Sequence, residues 1–190
     1  AKVSEIYAAI GGTGSTLGVY RNRKNVLANK PDLLFIEFAV NDGGTAPDEI
    51  HRAMEGLVRQ TWEADPKTDI CFVYTIHESM LATLKKGKFP RSATAMEKIA
   101  DYYAIPTIHM ALEAAKLDQE GKLLMKAKLP KTAEEKAAVG DKFVFAPDGV
   151  HPHVETGHKM YLEAIQRSIP KCKIGTAGPH ELKASFRPDH

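Results

Sequence analysis

Two uninterrupted apolar runs, residues 33–40 (LLFIEFAV) and 70–76 (ICFVYTI), constrain this chain more than any other feature. Each is too short to span a membrane and too continuous for a strand with one wet face. Both therefore read as strands buried on two faces, as in parallel sheets. Parallel neighbours need a crossover, and the sequence between the runs supplies a helix: Ile50, Ala53, Met54, Leu57, Val58 and Trp62 recur on one face. The helix is expected to begin at a T-x-x-D capping box, Thr45 to Asp48, with Pro47 in its first turn, and to end at Asp65-Pro66.

The same alternation continues on both sides. Residues 4–10 (SEIYAAI) form a short apolar run that reads as a strand, stopping at Gly11-Gly12 before a helix over about 17–29. Helix is expected over 92–103, a short strand at 106–110, helix to 116, a strand at 143–145 and helix over 153–169. Residues 119–141, lysine-rich and poorly periodic, read as a surface insertion. Strands alternating with helices give an α/β fold with a mainly parallel sheet. At 190 residues the chain fits one domain, assigned to 1–170, with 171–190 as a tail or linker.

Composition narrows the function. A formal net charge of +2, without a basic stripe interleaved with aromatics, points away from nucleic acid. No apolar stretch is long enough for a membrane span. Cys71 and Cys172 have neither zinc spacing nor a disulfide framework, and Cys71 lies in an apolar run as a small buried hydrophobe.

In parallel α/β sheets the loops at the carboxyl ends of strands build the site, and three such loops carry chemistry. In Asp148-Gly149-Val150-His151-Pro152 a carboxylate three residues before an imidazole can fix its tautomer and support its charge, the requirement of a general base. A plain loop whose Asp and His cap the next helix is the competing reading. Asn41 follows its strand directly, so its side-chain amide is placed to donate to a developing oxyanion; a turn-forming Asn-Asp pair has the same sequence. Gly12 lets a backbone N–H approach a bound group closely, or simply makes a strand-to-helix turn. Ser15 in that loop, and His77 with Glu78 after the strand at 70–76, are weaker candidates for touching substrate.

Taken in order, IGGTGS, AVND and DGVHP resemble the second, third and fifth conserved blocks of the SGNH/GDSL hydrolase family, a likeness spanning about residues 4–170. The resemblance implies a three-layer α/β/α, flavodoxin-like architecture and a cofactor-free ester hydrolase. It implies Asp148 and His151 as acid and base, and Gly12 and Asn41 as oxyanion-hole donors. Ala39 stands where the family's third block has a glycine. The family's first block, with its nucleophilic serine in a G-D-S turn, is absent, so the first strand and the nucleophile are expected upstream of residue 1. On its own this chain is then expected to be inactive or nearly so.

The implied substrate is an acetyl or other short acyl ester of a carbohydrate or similar polar alcohol, for which 7% aromatic residues and no apolar lid are suited. A further domain or a missing N-terminal segment would complete the site. Secretion or a periplasmic location would suit a sugar deacetylase, but the sequence carries no address. An inactive SGNH-like domain binding glycans or a partner protein is the alternative. A nucleotide site is disfavoured because IGGTGSTLG fails the G-x-G-x-x-G spacing. A metal site from His151, His153 and His158 lacks a carboxylate-rich partner motif, so no metal is expected.

Overall fold

The computed structural model describes residues 3–172 and 178–186. In chain order the elements are α1 (Ser15–Asn25), β1 (Leu33–Ile36), α2 (Pro47–Ala64), β2 (Asp69–Tyr74), α3 (Leu81–Leu84), α4 (Arg91–Tyr103), β3 (Thr107–His109), α5 (Leu112–Gln119), β4 (Leu123–Lys126), α6 (Ala133–Val139), β5 (Phe143–Ala146) and α7 (Gly157–Ser168). The strands form a three-stranded sheet in the order β1-β2-β3 and a two-stranded sheet of β4 and β5. β1 runs parallel to β2, with Leu33 opposite Asp69 and Ile36 opposite Phe72. β4 runs parallel to β5.

The described residues divide into two compact units: 3–73, 91–107, 172 and 178–186 in the first, and 74–90 and 108–171 in the second. In the first, α2 buries the face formed by Ile50, Ala53, Met54, Leu57, Val58 and Trp62. Full burial of such side chains contributes roughly 1.5–3 kcal/mol each before entropy is counted. Pro47 opens α2 with Asp48 and Glu49 in its first turn, where the helix dipole favours negative charge. Small residues let α1 approach: a methyl on Gly56 would lie 2.7 Å from Val19 Cγ2, and one on Gly18 2.5 Å from Phe38 Cζ. Residues 178–186 strap this unit. His180 stacks on Trp62 at 4.5 Å between ring centroids, and the buried Glu55 accepts from Phe186 N at 2.6 Å and Ser185 Oγ at 3.1 Å.

Several expectations are corrected. Residues 4–10 form no strand; they have no regular structure, and Val3, Ile6, Tyr7 and Ile10 are exposed. A strand needs a neighbour for its backbone N–H and C=O groups, and no β-ladder includes these residues. The run 33–40 is a strand only to Ile36, and it is not buried on both faces, since Phe35 is exposed at the end of the sheet order. The chain turns because Glu37 Oε1 accepts from Ala39 N at 3.0 Å and Phe38 O from Asp42 N at 2.8 Å.

The capping box at Thr45 does not form, because α2 starts at Pro47 with Ala46 as N-cap and no side-chain cap bond. The true capping box is Thr132 with Glu135, at α6. It lies within the stretch taken as an insertion, which also holds β4. There only Leu123 and Met125 are buried, and flanking lysines mask so short an alternation. α7 starts at Gly157, four residues after the expected 153.

Cys71 is fully buried as expected, and burial pushes its thiol up to about 12. Among the described residues no helix is long and apolar enough to cross a membrane.

The second unit depends on close approach at Gly157, where an added methyl would lie 2.8 Å from the Phe145 carbonyl oxygen and 2.4 Å from Pro152 Cβ. Backbone cannot yield as a side-chain tip can, so Gly157→Ala should cost about 1–3 kcal/mol. Gly44→Ala, where a methyl meets nothing within 4 Å, should stay within about 0.5 kcal/mol. Urea denaturation giving both variants the parent midpoint would refute this packing.

Candidate functional site

Each unit holds some of the candidate residues on its own loops. In the second unit β5 ends at Ala146, and Pro147 leads into the turn Asp148-Gly149-Val150-His151. Asp148 Oδ1 accepts from Val150 N at 2.9 Å and His151 N at 2.8 Å. Its other oxygen, Oδ2, lies 2.7 Å from His151 Nδ1. An ionised carboxylate only accepts, so Nδ1 carries the hydrogen and Nε2 keeps its lone pair. The His151 side chain is 83% exposed, which leaves that lone pair open to solvent. The imidazole hydrogen bond first, and the two backbone N–H groups after it, hold the Asp148 carboxyl well below the usual carboxylate range.

The turn is fixed from both ends. Gly149 adopts φ +84°, a conformation that favours glycine, and a methyl there would lie 2.9 Å from Glu78 Oε2. The Gly149 carbonyl accepts from Glu78 N at 3.0 Å. Beyond the turn, His153 N donates to Phe145 O at 2.8 Å and the His153 ring Nε2 lies 2.9 Å from Ala127 O. His153 is thus held by backbone, and His158 is exposed near the start of α7. No group of three metal-ligating side chains is gathered among the described residues.

His77 Nδ1 accepts from Ser79 N at 3.1 Å and caps the short turn that follows β2. His77 is partly exposed, and Glu78 beside it reaches the Asp148–His151 turn through Gly149.

In the first unit Asn41 is exposed and opens the 3-10 turn Asn41–Gly44. Gly12 is exposed at φ +73°, with open space where a side chain would stand. Asp42 joins these two loops. It is 1% exposed, and its Oδ1 accepts from Ser15 N at 3.1 Å, the first amide of α1. A methyl on Gly14 would collide with that oxygen at 2.3 Å. From α4, Arg91 donates to Gly43 O at 2.8 Å and Ser92 Oγ to Ala39 O at 2.5 Å, which braces the Asn41 turn. Ser15, expected to offer a hydroxyl to substrate, is fully buried; its backbone amide is the engaged group.

Sequence reasoning missed the part Asp42 plays, treating it as half of a turn pair. Its adjacency to Asn41 was visible, but the glycine gap that receives it lies 28 positions earlier, at Gly14. It also missed an aromatic group in the second unit. Tyr74 ends β2, His109 ends β3, and Phe89 lies in the loop before α4. The Phe89 and His109 rings are nearly parallel, 5.4 Å apart and 15° inclined. Tyr74 meets His109 edge-on at 5.9 Å. Burial pushes the His109 imidazole down to about 4.

The chain is similar to the crystal structure of a two-domain esterase active on acetylated mannans, co-crystallised with mannopentaose. The identity is 25% and the TM-score 0.68, over 96% of this chain and 41% of that one. A second crystal structure, of a two-domain esterase active on acetylated mannans, matches at 24% identity and TM-score 0.65, over 94% and 40%. A lipase/acylhydrolase from Enterococcus faecalis matches at 15% and 0.52, over 87% and 75%. The chain thus spans about two fifths of the length of the two-domain esterases. No protein-family model and no curated protein matches it. The likeness shows an SGNH/GDSL hydrolase-like fold, mixed α/β with parallel sheets, as the ordered motifs imply.

Two titrations follow. The Asp148 carboxyl carbon should keep its ionised NMR shift to a lower pH than an ordinary aspartate, because hydrogen bonds depress its ionisation; an ordinary aspartate midpoint would contradict the geometry. His109 binds its proton near 4 when folded and near the ordinary imidazole value of 6.5 when unfolded. The unfolded chain therefore holds more protons in that interval, and stability falls as pH drops from about 6.5 to about 4. His109→Leu should remove this part of the acid sensitivity in urea titrations, and parallel losses in parent and variant would show that burial does not govern the imidazole.

Proposed function

We propose, on the premise of an SGNH/GDSL hydrolase-like fold, that this chain supplies the acid–base pair and oxyanion donors of a serine ester hydrolase. Its substrates are acetyl or other short acyl esters of a carbohydrate or similar polar alcohol. The observation that carries the reading is the 2.7 Å pairing of Asp148 Oδ2 with His151 Nδ1, on an imidazole whose second nitrogen is open. The esterase with activity on acetylated mannans supports the acyl-carbohydrate class.

In this reading a serine hydroxyl attacks the ester carbonyl while His151 Nε2 takes its proton, and the imidazolium then delivers that proton to the leaving alcohol. Asp148 fixes the tautomer and offsets the imidazolium charge. The Asn41 amide and the Gly12 N–H donate to the tetrahedral oxyanion. Water repeats the sequence on the acyl-enzyme, again with His151 as base.

The nucleophile is assigned to a segment outside the described residues. Ser15 is buried, Ser92 donates to Ala39 O, Ser185 to Glu55, and Ser79 is paired with His77; Ser168 ends α7, and Ser4 lies in a stretch without regular structure rather than in a turn after a strand. An apolar segment would also find cover to give, because Val3, Ile6, Tyr7, Ile10 and the strand residue Phe35 are exposed in the first unit. The engagement of Ser79, Ser92 and Ser185 and the burial of Ser15 favour the second reading, an inactive SGNH-like domain that binds glycans or a partner.

The 190-residue chain should hydrolyse p-nitrophenyl acetate negligibly. The longer protein carrying the serine should hydrolyse it with rates that fall at least about 10³-fold in His151→Ala and about 10²–10³-fold in Asn41→Ala. Robust turnover by the 190-residue chain, lost in His151→Ala, would overturn the placement of the nucleophile. Turnover by the longer protein that ignores His151 would overturn the hydrolase reading.

A further inference from the structure

We infer that Phe89 is a stacking platform for a sugar ring, and that with the loop following Tyr74 it forms a subsite for an oligosaccharide rather than a single acylated sugar. The inference rests on the acyl-carbohydrate reading above and extends it to the length of the substrate.

Phe89 is 41% exposed, yet its ring is held firmly. His109 backs it nearly in parallel, and Tyr74 packs against both rings, at 6.4 Å from Phe89 and 5.9 Å from His109. The His109 ring nitrogens are both buried and meet no hydrogen-bonding group of another described residue, so the imidazole serves here as an aromatic surface. The loop that carries Phe89 is fixed as well. Lys85 Nζ pairs with Asp118 at 2.6 Å, Gln119 Nε2 donates to Lys85 O at 2.9 Å, and Gly87 turns the chain at φ +69°.

An aromatic ring that is held firmly and remains partly exposed offers apolar contact at little entropic cost. The C–H face of a pyranose is the matching shape. A lipid chain would want an enclosed groove, whereas the neighbouring loop is polar, with His77, Glu78 and Ser79 all reaching solvent.

Chain connectivity sets the distance to the chemistry. Tyr74 and Glu78 are four residues apart, so their Cα atoms lie within about 14 Å even if the chain is fully extended. Glu78 N donates to the Gly149 carbonyl at 3.0 Å, in the turn that ends at His151. All of these residues belong to the second unit. The platform therefore lies within the span of a few linked sugar rings from the acid–base turn. Glu78 and Ser79 offer oxygen acceptors to hydroxyl groups along the way.

The test is calorimetric titration of the 190-residue chain with unacylated β-1,4-linked pentaoses of glucose, xylose and mannose, and with the corresponding monosaccharides. At least one pentaose should bind, and at least tenfold more tightly than its monosaccharide. Phe89→Ala and Phe89→Leu should each weaken binding at least tenfold, and Phe89→Tyr should keep it. Absence of binding to every pentaose, or equal binding by Phe89→Leu and the parent, overturns the subsite. The readout needs no turnover, so an inactive protein that binds pentaoses through Phe89 would retain the subsite while losing the hydrolase reading.

Discussion

The Asp148 carboxylate divides its two oxygens between backbone and side chain. One gathers the N–H groups of Val150 and His151 and thereby closes the turn; the other holds the His151 ring. Because the same group fixes the fold of the loop and the tautomer of the imidazole, neither can drift without the other. This matters for a pair so exposed, since a solvent-facing ion pair alone is worth little against side-chain entropy. Backbone anchors supply what the exposed pair cannot: Glu78 N on Gly149 O at one end, and His153 N on Phe145 O at the other. Gly157 lets α7 begin directly against that second anchor.

The first unit uses the same device in the opposite environment. Asp42 is buried, and burying a carboxylate is costly unless donors and positive potential meet it. It receives the Ser15 amide at the N-terminus of α1, where the helix dipole favours an anion. Gly14 makes room by having no side chain, and Arg91 and Ser92 hold neighbouring carbonyls from α4. The result is mechanical coupling between the loop of Gly12 and the turn of Asn41. Donors to an oxyanion are effective only when their geometry is fixed before charge develops, and a buried carboxylate shared by two loops is a means of fixing it.

The sequence made some of this legible and hid the rest for identifiable reasons. α2, β2 and α4 stood out because long periodic or continuous apolar patterns are dominated by burial, and burial is what forms them. The pairing of Asp148 with His151 was legible because three-residue spacing in a turn brings the two together locally. β4 was not, since two inward residues between lysines carry almost no period, and its existence depends on a partner twenty residues later. The shortening of the run 33–40 was hidden by a side chain. Glu37 takes the Ala39 amide that a longer strand would have needed. The Tyr74, Phe89 and His109 group was invisible for a similar reason, because its members come from three segments that only the tertiary fold assembles.

The exposed apolar residues of the first unit bear on how the two device-bearing loops are kept in place. β1 is hydrophobic along its length, yet it ends the strand order, and Phe35 faces solvent. Edge strands are normally protected by charge, proline, a bulge or a covering element, and Leu33, Leu34, Phe35 and Ile36 offer none of the first three. Residues 3–10 add Val3, Ile6, Tyr7 and Ile10 without regular structure of their own. Both segments lead straight into the loops of the proposed donors, 3–10 into Gly12 and β1 into Asn41. Any strand that covered this apolar surface would be stabilised by burial at roughly 25 cal/mol per Å², and would stiffen the segments that lead into the two loops. Stability and the placement of the proposed oxyanion donors would then be gained in the same step, which accords with the proposal that the nucleophile is carried on a separate segment.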